Sequence, residues 1–379
     1  MNYIDYRISN IIGHKKPIQF LNGLFVRGRI PSGLIFYGQK NIGKRFTAVS
    51  FAASILCKDY LYYNDSSAEI KENSDAKTLL EGYFCGKCPS CRGVLNETSQ
   101  NLMIVEPAGN SIKIEKINQI NSFLNLTPTF KGHRFVIIDG AEAMNPNAMN
   151  ALLKALEEPR GGTVFILISS NINSLLPTIV SRCSLLAFRP VQDEDLFEAF
   201  KAKFPDMAGD ILTVYLRLAK GSYSNFEKLV SGKYFEIRKS ILTLIFNESF
   251  YRYSTLFEYN MADEFNRILK NLKSKKNDND KDKDNDKDNE NKIELFEVFL
   301  FILRDIYIYY MTKNEKLLYN VDICGDIRKF IKDSGVTPRM LSNMIELTVS
   351  YIDKMNYNLN KAIVMDAYFA DLLTQNMLR

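Results

Sequence analysis

Residues 38–45 read GQKNIGKR, and this stretch constrains the fold more than any other. The phosphate-binding pattern G-x-x-x-x-G-K-[ST] needs two glycines for close backbone approach, a lysine for phosphate oxygens and a hydroxyl for magnesium. Gly38, Gly43 and Lys44 match that pattern, whereas Arg45 takes the place of the hydroxyl residue. An apolar run precedes the loop and a helical pattern follows it. This strand-loop-helix context predicts a phosphate-loop fold, because the helix N-terminus supplies amide donors.

Short apolar runs recur through the first half of the chain, separated by helical patterns. Their hydrophobicity is continuous rather than alternating, which is typical of strands covered on both faces in a parallel sheet. The runs lie at 34–37, 102–105, 135–138, 164–168 and 185–188. We therefore predict an α/β nucleotide-binding domain over about residues 1–190.

The second part of a nucleotide site is an acidic residue at a strand end, which holds magnesium together with the loop hydroxyl. Asp139 follows the run 135–138 and meets that need. The next position is Gly140, where many ATPases carry a glutamate that positions the attacking water. Glu142 is better interpreted as a carboxylate at a helix start. ATP or ADP binding through the loop backbone and Lys44 stays open, but efficient turnover is not expected.

Three cysteines form the sharpest metal motif, Cys85, Cys88 and Cys91, at C-x-x-C-x-x-C spacing. Three thiolates at this spacing can turn inward on one ion, and Cys57, at the end of the first helix after the loop, is the natural fourth ligand. A ferredoxin-type iron–sulfur run would need another cysteine at position 95, which is Leu95. The sequence therefore predicts a structural Zn²⁺ site without an open position for catalysis.

Beyond about residue 190 the sequence reads as helices only, without a convincing strand. The tract 275–292, KKNDNDKDKDNDKDNENK, contains only Lys, Asn, Asp and Glu, so it has nothing to bury and is predicted to be a disordered insertion. Its six Lys face six Asp and one Glu, which favours a solvated loop over a nucleic-acid-binding tail. The predicted helices span 193–205, 208–219, 222–231, 234–250, 253–273, 293–312, 324–334 and 337–378.

Composition bounds the class of protein. At 379 residues, with 46% hydrophobic and 25% charged residues, the chain predicts an ordinary globular protein of two or three domains. The N-terminal sequence lacks a signal-peptide pattern and no stretch has the length of a membrane span, so we expect a cytoplasmic protein. Residues 1–50 carry eight Lys and Arg against Asp5 alone. That excess suits phosphate-bearing or acidic partners, or a solvated basic surface.

Together these motifs resemble a known family. The loop GQKNIGKR, the cysteine knuckle, the stretch 104–107 (IVEP), the helix 150–159 (NALLKALEEP) and Ser181-Arg182-Cys183 resemble the delta-prime subunits of the bacterial DNA polymerase III clamp loader, which are relatives of the AAA+ ATPases. The resemblance covers residues 1–190 with strong motifs, and the helical remainder only in class. It implies an AAA+ domain with a zinc module (57–91), a small helical lid domain (191–234) and a helical oligomerisation collar (235–379).

The resemblance also implies a function. Such a subunit assembles with gamma/tau and delta subunits into a pentamer that opens the sliding clamp and places it on primer-template DNA. Arg182 is then an arginine finger, offered in trans to ATP held by a neighbouring motor subunit. From the sequence alone, Arg182 could equally be a structural ion-pair partner.

Two rival functions stay open at this point. An active gamma/tau-type motor would keep a loop hydroxyl, a glutamate after the strand-end aspartate and an arginine after the sheet domain, whereas this chain has Arg45, Gly140 and Ser224 there. These three losses favour a subunit without intrinsic ATPase activity. An isolated zinc-containing nucleic-acid binder would draw on the basic N-terminal region. The spacer 58–84 is longer than the delta-prime pattern has, which leaves Cys57 the least secure zinc ligand.

Overall fold

The computed structural model describes residues 6–57, 84–109, 111–126, 132–231, 234–246 and 284–355, with six further positions, Arg267, Val364, Ala367, Tyr368, Ala370 and Asp371. The chain divides into two compact units. The first comprises Met1–Pro205 and Ala219–Asn225, and the second Asp206–Leu218 and Phe226–Arg379. Among the helices of the described residues, none is long and apolar enough to cross a membrane.

A five-stranded parallel sheet forms the centre of the first unit. The strands are β1 (Gly33–Tyr37), β2 (Leu102–Val105), β3 (Arg134–Asp139), β4 (Thr163–Ser169) and β5 (Ser184–Ala187). Across the sheet they run in the order β2-β3-β4-β1-β5. The predicted parallel sheet is confirmed, because each of the five apolar runs forms one of its strands.

The continuous hydrophobicity of the strands follows from burial on both faces of the sheet. Side chains point alternately to opposite faces along a strand, so neighbours enter different cores. In β1, Leu34 and Phe36 belong to one core cluster and Ile35 to the other. Phe51, on the helix after the phosphate loop, is completely buried in the first cluster. The sheet is therefore fixed from both sides, which holds the carboxyl ends of its strands at one edge.

Helices of this part of the chain pack on both faces of the sheet. In the helix that ends before Pro159, Asn145 caps the start by accepting a hydrogen bond from the backbone N of Ala148 at 2.8 Å, and Pro146 occupies the first turn. The helices are α1 (Lys15–Val26), α2 (Lys44–Leu56), α3 (Pro89–Leu95), α4 (Ile114–Asn125), α5 (Pro146–Glu157), α6 (Pro177–Val180) and α7 (Asp193–Lys203).

The rest of the described chain is helical, as predicted. The helices are α8 (Gly209–Ala219), α9 (Tyr223–Ser231), α10 (Tyr234–Ile245), α11 (Asp284–Thr312), α12 (Cys324–Asp333) and α13 (Pro338–Met355). Within the second unit α11 packs against α10 and α13. The fully buried carboxylate of Asp305 accepts a hydrogen bond from the backbone N of Asn320 at 2.7 Å, and Arg238 donates to the Asn320 side chain at 2.8 Å. These bonds satisfy the buried carboxylate and the buried amide and connect α10 and α11.

One sequence prediction needs correction here. The predicted disordered insertion 275–292 is helical from Asp284 onward, because α11 begins there. The segment continues directly into an apolar helical sequence. Residues 275–283 lie outside the described residues, as does the predicted helix 253–273 apart from Arg267, which is helical. The domain boundaries at 190 and 234 stay predictions.

Candidate nucleotide-binding cleft and metal centre

The phosphate loop lies between β1 and α2, at the carboxyl edge of the sheet. Its two glycines have backbone φ angles of 141° at Gly38 and 95° at Gly43, which L side chains rarely adopt. A Cβ atom on Gly38 would lie 2.1 Å from the carbonyl oxygen of Phe188. The loop conformation therefore requires glycine at Gly38 because of both the backbone angle and the space.

Lys44 is directed at the loop itself. Its side chain is buried, with the residue 5% exposed, and Nζ donates hydrogen bonds to the carbonyl oxygens of Gly38 at 2.6 Å and Gln39 at 2.5 Å. Burial lowers the pKa of Lys44, while the negative charges of Glu142 and Asp139 oppose that shift. In this arrangement the ammonium holds the loop closed on its own backbone.

Arg45 occupies the place that a loop hydroxyl would take, and it makes two ion pairs. Its Nη1 donates to the carboxylate of Glu106 and lies 3.7 Å from Oδ2 of Asp139. Burial raises the pKa of Asp139, and the positive charges of Arg45 and Lys44 act against that shift. The acidic strand end is thus neutralised by a cation that belongs to the chain.

Glu142 lies in the first turn of the short 3₁₀ helix Ala141–Ala143, as predicted, and its carboxylate also reaches this region. Its carboxylate accepts a hydrogen bond from the Ser170 hydroxyl. Burial alone would raise the pKa of Glu142, but hydrogen bonds from Ser170 and neighbouring groups outweigh burial and lower it. The second oxygen, Oε2, is buried and has no hydrogen-bond partner among the described residues.

A cavity of about 1030 Å³ opens between the loop and the ends of β3 and β4. It is large enough for a small organic ligand, since such pockets usually measure about 300–1,000 Å³. Of the predicted nucleotide-site residues, Gly43, Lys44 and Asp139 line it, and Gly38 does not. The further lining residues used below are Tyr6, Lys40, Arg45, Phe46, Glu142 and Ser224.

Magnesium, which a phosphate-loop fold implies, does not fit these residues. The ion demands oxygen ligands at about 2.0–2.1 Å in octahedral geometry. Arg45 offers only N–H donors where the hydroxyl oxygen is needed, and its guanidinium is already paired with Asp139. The hydroxyl that would bind the ion in a hydrolysing relative is thus absent from this chain, and the carboxylate of Asp139 is already paired.

The four predicted metal ligands do come together. The Sγ atoms of Cys57, Cys85, Cys88 and Cys91 lie within 4.8 Å of one another, although Cys57 is separated from the others by a long spacer. The 3.8 Å between the Sγ atoms of Cys85 and Cys91 equals the edge of a tetrahedron with Zn–S bonds of about 2.3 Å. The geometry and the all-sulfur donor set therefore fit a closed tetrahedral site.

Backbone amides support the same cluster. The amides of Lys87 and Cys88 approach Sγ of Cys85 at 3.4 and 3.3 Å, and the amide of Cys91 approaches Sγ of Cys88 at 3.4 Å. Such donors stabilise negative charge on sulfur. Hydrogen bonding to Cys57 and burial raise the pKa of Cys91, since clustered thiols resist ionising together without a cation.

Arg182 lies on the surface of the first unit, directly before β5. Its Nη2 is 2.6 Å from Oε1 of Glu157, at the end of α5, and its Nη1 donates to the carbonyl oxygen of Thr178 at 2.9 Å. The Arg182 and Glu157 side chains are 38% and 47% exposed. Arg182 therefore has an ion-pair partner in its own chain, and it is accessible to another molecule; its role as an arginine finger stays a prediction.

Sequence reasoning missed three features of the cleft. Glu106 appeared only as part of a matching stretch, yet it pairs with Arg45 across 61 positions. Ser170 had no signal beyond its place just after β4. Nε2 of His14, at the start of α1, donates a hydrogen bond to the carbonyl oxygen of Ile42 at 2.5 Å and so supports the loop. No local pattern identifies such pairs, because they depend on how the strand ends are arranged in space.

The first half of the chain is similar to known proteins. Residues 13–192 match the family described as "DNA polymerase III, delta subunit". The delta-prime subunit from Pseudomonas aeruginosa is 33% identical over 197 residues, which are 52% of this chain and 54% of the relative. The delta-prime subunit from Bacillus subtilis is 32% identical over 168 residues, 44% of either chain. The tau subunit from Bacillus subtilis is 24% identical over 188 residues, 50% of this chain and 30% of the relative.

The sheet, the phosphate loop and the acidic strand end define an α/β domain of the P-loop, AAA+ kind. Within that class, residues 13–192 resemble the clamp-loader subunits of DNA polymerase III, and the similarities at 32–33% identity are to delta-prime subunits. The chain spans about half the length of these curated relatives.

Proposed function

We propose that this chain is a non-hydrolysing, delta-prime-type subunit of a bacterial replicative clamp loader. The observation that carries the proposal is the position of Arg45, whose guanidinium neutralises Asp139 where a hydrolysing subunit would assemble a metal site. Gly140 follows Asp139 without a carboxylate for the attacking water, and Ser224 lines the cleft where a motor would have an arginine. The cleft then serves as a scaffold, or binds nucleotide without turnover.

The partners follow from the family. The chain would assemble with gamma/tau and delta subunits, and the complex would place the sliding clamp on primer-template DNA. In this assembly Arg182 is the arginine finger that reaches ATP on a neighbouring motor subunit. Its exposure supports the role, since only the ion pair with Glu157 and one backbone hydrogen bond must be exchanged. Zn²⁺ on the four cysteines stabilises the first unit.

The finger role is tested with Arg182→Ala in a reconstituted loader. An arginine finger contributes about 10³–10⁵ to the rate at the site that it serves. We expect the variant to assemble normally while DNA-dependent ATPase activity and clamp loading fall. Arg189→Ala, which removes another exposed arginine of the same unit, is the matched control and should behave like the native chain. Normal clamp loading by the Arg182 variant would refute the finger role.

An active gamma/tau-type motor is the second candidate, favoured by Lys44 and Asp139 at the cleft and by the similarity to tau. Purified alone, the zinc-bound chain should show negligible ATP hydrolysis if our proposal holds. Magnesium-dependent turnover that Lys44→Ala abolishes would establish the motor instead. Salt-sensitive DNA binding by the lone chain would point to a nucleic-acid binder.

A further inference from the structure

We infer that the cleft takes the phosphate chain of a nucleotide without any divalent cation, because the guanidinium of Arg45 stands where the ion would be. This inference rests on the proposed function only in treating the cleft as a phosphate site without turnover. It adds that the ligand, a nucleoside diphosphate or triphosphate, binds without a metal ion. It also assigns to Arg45 a role in binding that its place in a degenerate motif does not suggest.

The first step of the argument is that a divalent ion has no place to bind. In a hydrolysing site a hydroxyl oxygen and the strand-end carboxylate bind the ion or its water shell. Here Arg45 and Asp139 are 3.7 Å apart, so the carboxylate is already paired. A magnesium ion near Asp139 would meet the positive guanidinium, and like charges at this range repel each other.

The second step is that the cleft keeps cations for phosphate oxygens. Lys40, Lys44 and Arg45 line one cavity together with the backbone of Gly43, at the start of α2. A guanidinium can bind phosphate with two parallel hydrogen bonds, so it replaces the charge of an ion and also fixes direction. The Arg45 side chain is 44% exposed, so it can turn from Glu106 toward a ligand without disrupting the core.

The third step concerns what else the ligand carries. A cavity of about 1030 Å³ exceeds what a phosphate chain fills, so a nucleoside fits as well. Tyr6 lines the cavity and stacks on Phe46, with ring centroids 5.4 Å apart, which offers an aromatic surface for a base. The geometry therefore favours a nucleotide over free inorganic phosphate.

The experiment is calorimetric titration of the zinc-bound chain with ADP. ADP is used because its heat of binding cannot be confused with the heat of ATP turnover. Each titration is run with excess Mg²⁺ and in buffer freed of divalent ions by a chelating resin, because a soluble chelator would strip the zinc. The variant is Arg45→Thr, which restores the hydroxyl of the phosphate-loop pattern. Arg29→Thr, an exposed arginine outside the cavity lining, is the matched control. Inorganic phosphate is titrated in parallel.

Without Mg²⁺ the native chain and Arg29→Thr should bind ADP with the same affinity, within about twofold, and more tightly than inorganic phosphate. Excess Mg²⁺ should weaken this binding, because it converts ADP into the magnesium complex that the cleft does not take. Arg45→Thr should lose about tenfold or more without Mg²⁺, the usual size of a lost charged hydrogen bond, and should regain affinity when the ion is added. Zinc content and the melting temperature report whether the Arg45→Thr variant is folded. If it is not folded, the titrations of the native chain still test the inference.

The inference is overturned if native binding requires Mg²⁺ or if ADP does not bind under either condition. It is equally overturned if a folded Arg45→Thr variant binds ADP like the native chain without Mg²⁺. ATP hydrolysis by the lone chain is scored separately. Hydrolysis would contradict the proposed function, whereas a requirement for Mg²⁺ in ADP binding would contradict this inference alone.

Discussion

The ammonium of Lys44 lies 2.6 Å from the carbonyl oxygen of Gly38, so the lysine of the phosphate loop bonds the residue that opens the loop. Any ligand phosphate must exchange this bond for its own. The closed loop also depends on Gly38 itself, because its backbone has φ of 141° and approaches the carbonyl oxygen of Phe188. The resting shape of the loop is thus held by the chain's own groups.

Gly38→Ala should therefore destabilise the first unit. The new Cβ would clash with main-chain atoms at a backbone angle that alanine avoids, which should cost about 2 kcal/mol or more of the free energy of unfolding. Gly209→Ala is the matched control, because nothing lies within 4 Å of an added Cβ there and its φ is not positive. Thermal unfolding of the zinc-bound chains measures both, and equal melting temperatures would contradict the prediction.

The sequence was sufficient to predict the framework of the fold. Five continuous apolar runs gave five parallel strands, since strands buried on both faces have no polar alternation. The cysteine spacing predicted the metal cluster for a similar reason. Ligands three residues apart can turn toward one ion whatever surrounds them, and only Cys57 had to come from a distance.

The chemistry of the cleft was less predictable. The pattern around Lys44 predicts an ammonium that faces phosphate, but a buried ammonium must find acceptors, and the nearest are two loop carbonyls. The pairing of Arg45 with Glu106 depends on the adjacency of the β1 and β2 loops in space. The composition of 284–292 likewise led to a wrong prediction of disorder. This tract has no apolar side chains of its own to bury, but it belongs to the same helix as the apolar sequence that follows it.

Removal of one thiolate tests the metal centre. Cys88→Ser should reduce zinc from one ion per chain to well below that and lower the free energy of unfolding by more than about 3 kcal/mol, since metal binding and folding are coupled. Cys183→Ser is the matched control, because Cys183 lies outside the cluster of four thiols. Metal analysis and thermal unfolding measure the two effects.

If Cys88→Ser lost its metal but kept the native melting temperature, the prediction that the metal stabilises the fold would be wrong. A chain that binds no zinc even when purified with it would contradict the choice of ion. Similar losses in Cys183→Ser would show that the effect belongs to any thiol substitution.

His14 should make the stability of the loop depend on pH. Its Nε2 lies 2.5 Å from the carbonyl oxygen of Ile42, and its ring packs edge-on against Phe188 with centroids 4.9 Å apart. Burial lowers the pKa of His14, the hydrogen bond to Ile42 acts against this shift, and Lys44 adds to it. Of the ionisable groups around the loop, cationic Lys44 acts on His14.

The sign follows from proton binding. The folded pKa lies below the value of about 6.5 in an unfolded chain, so on acidification the unfolded chain takes up the proton first. The contribution of His14 is complete above that value and is lost as pH falls toward the folded pKa. His14→Asn removes this titration and suits the left-handed backbone at position 14, where φ is 53°. The stability advantage of the native chain over this variant should shrink between about pH 7.5 and 5.5.

Chemical denaturation at a series of pH values measures this difference, in which titrations common to both chains cancel. His133→Asn removes the other histidine, a half-buried residue that contacts Gly162, and should keep the trend of the native chain because His14 is still present. Parallel curves for the native chain and His14→Asn would contradict the prediction. A native advantage that grows on acidification would mean that the hydrogen bond to Ile42 outweighs burial and that the imidazole is charged in the folded chain.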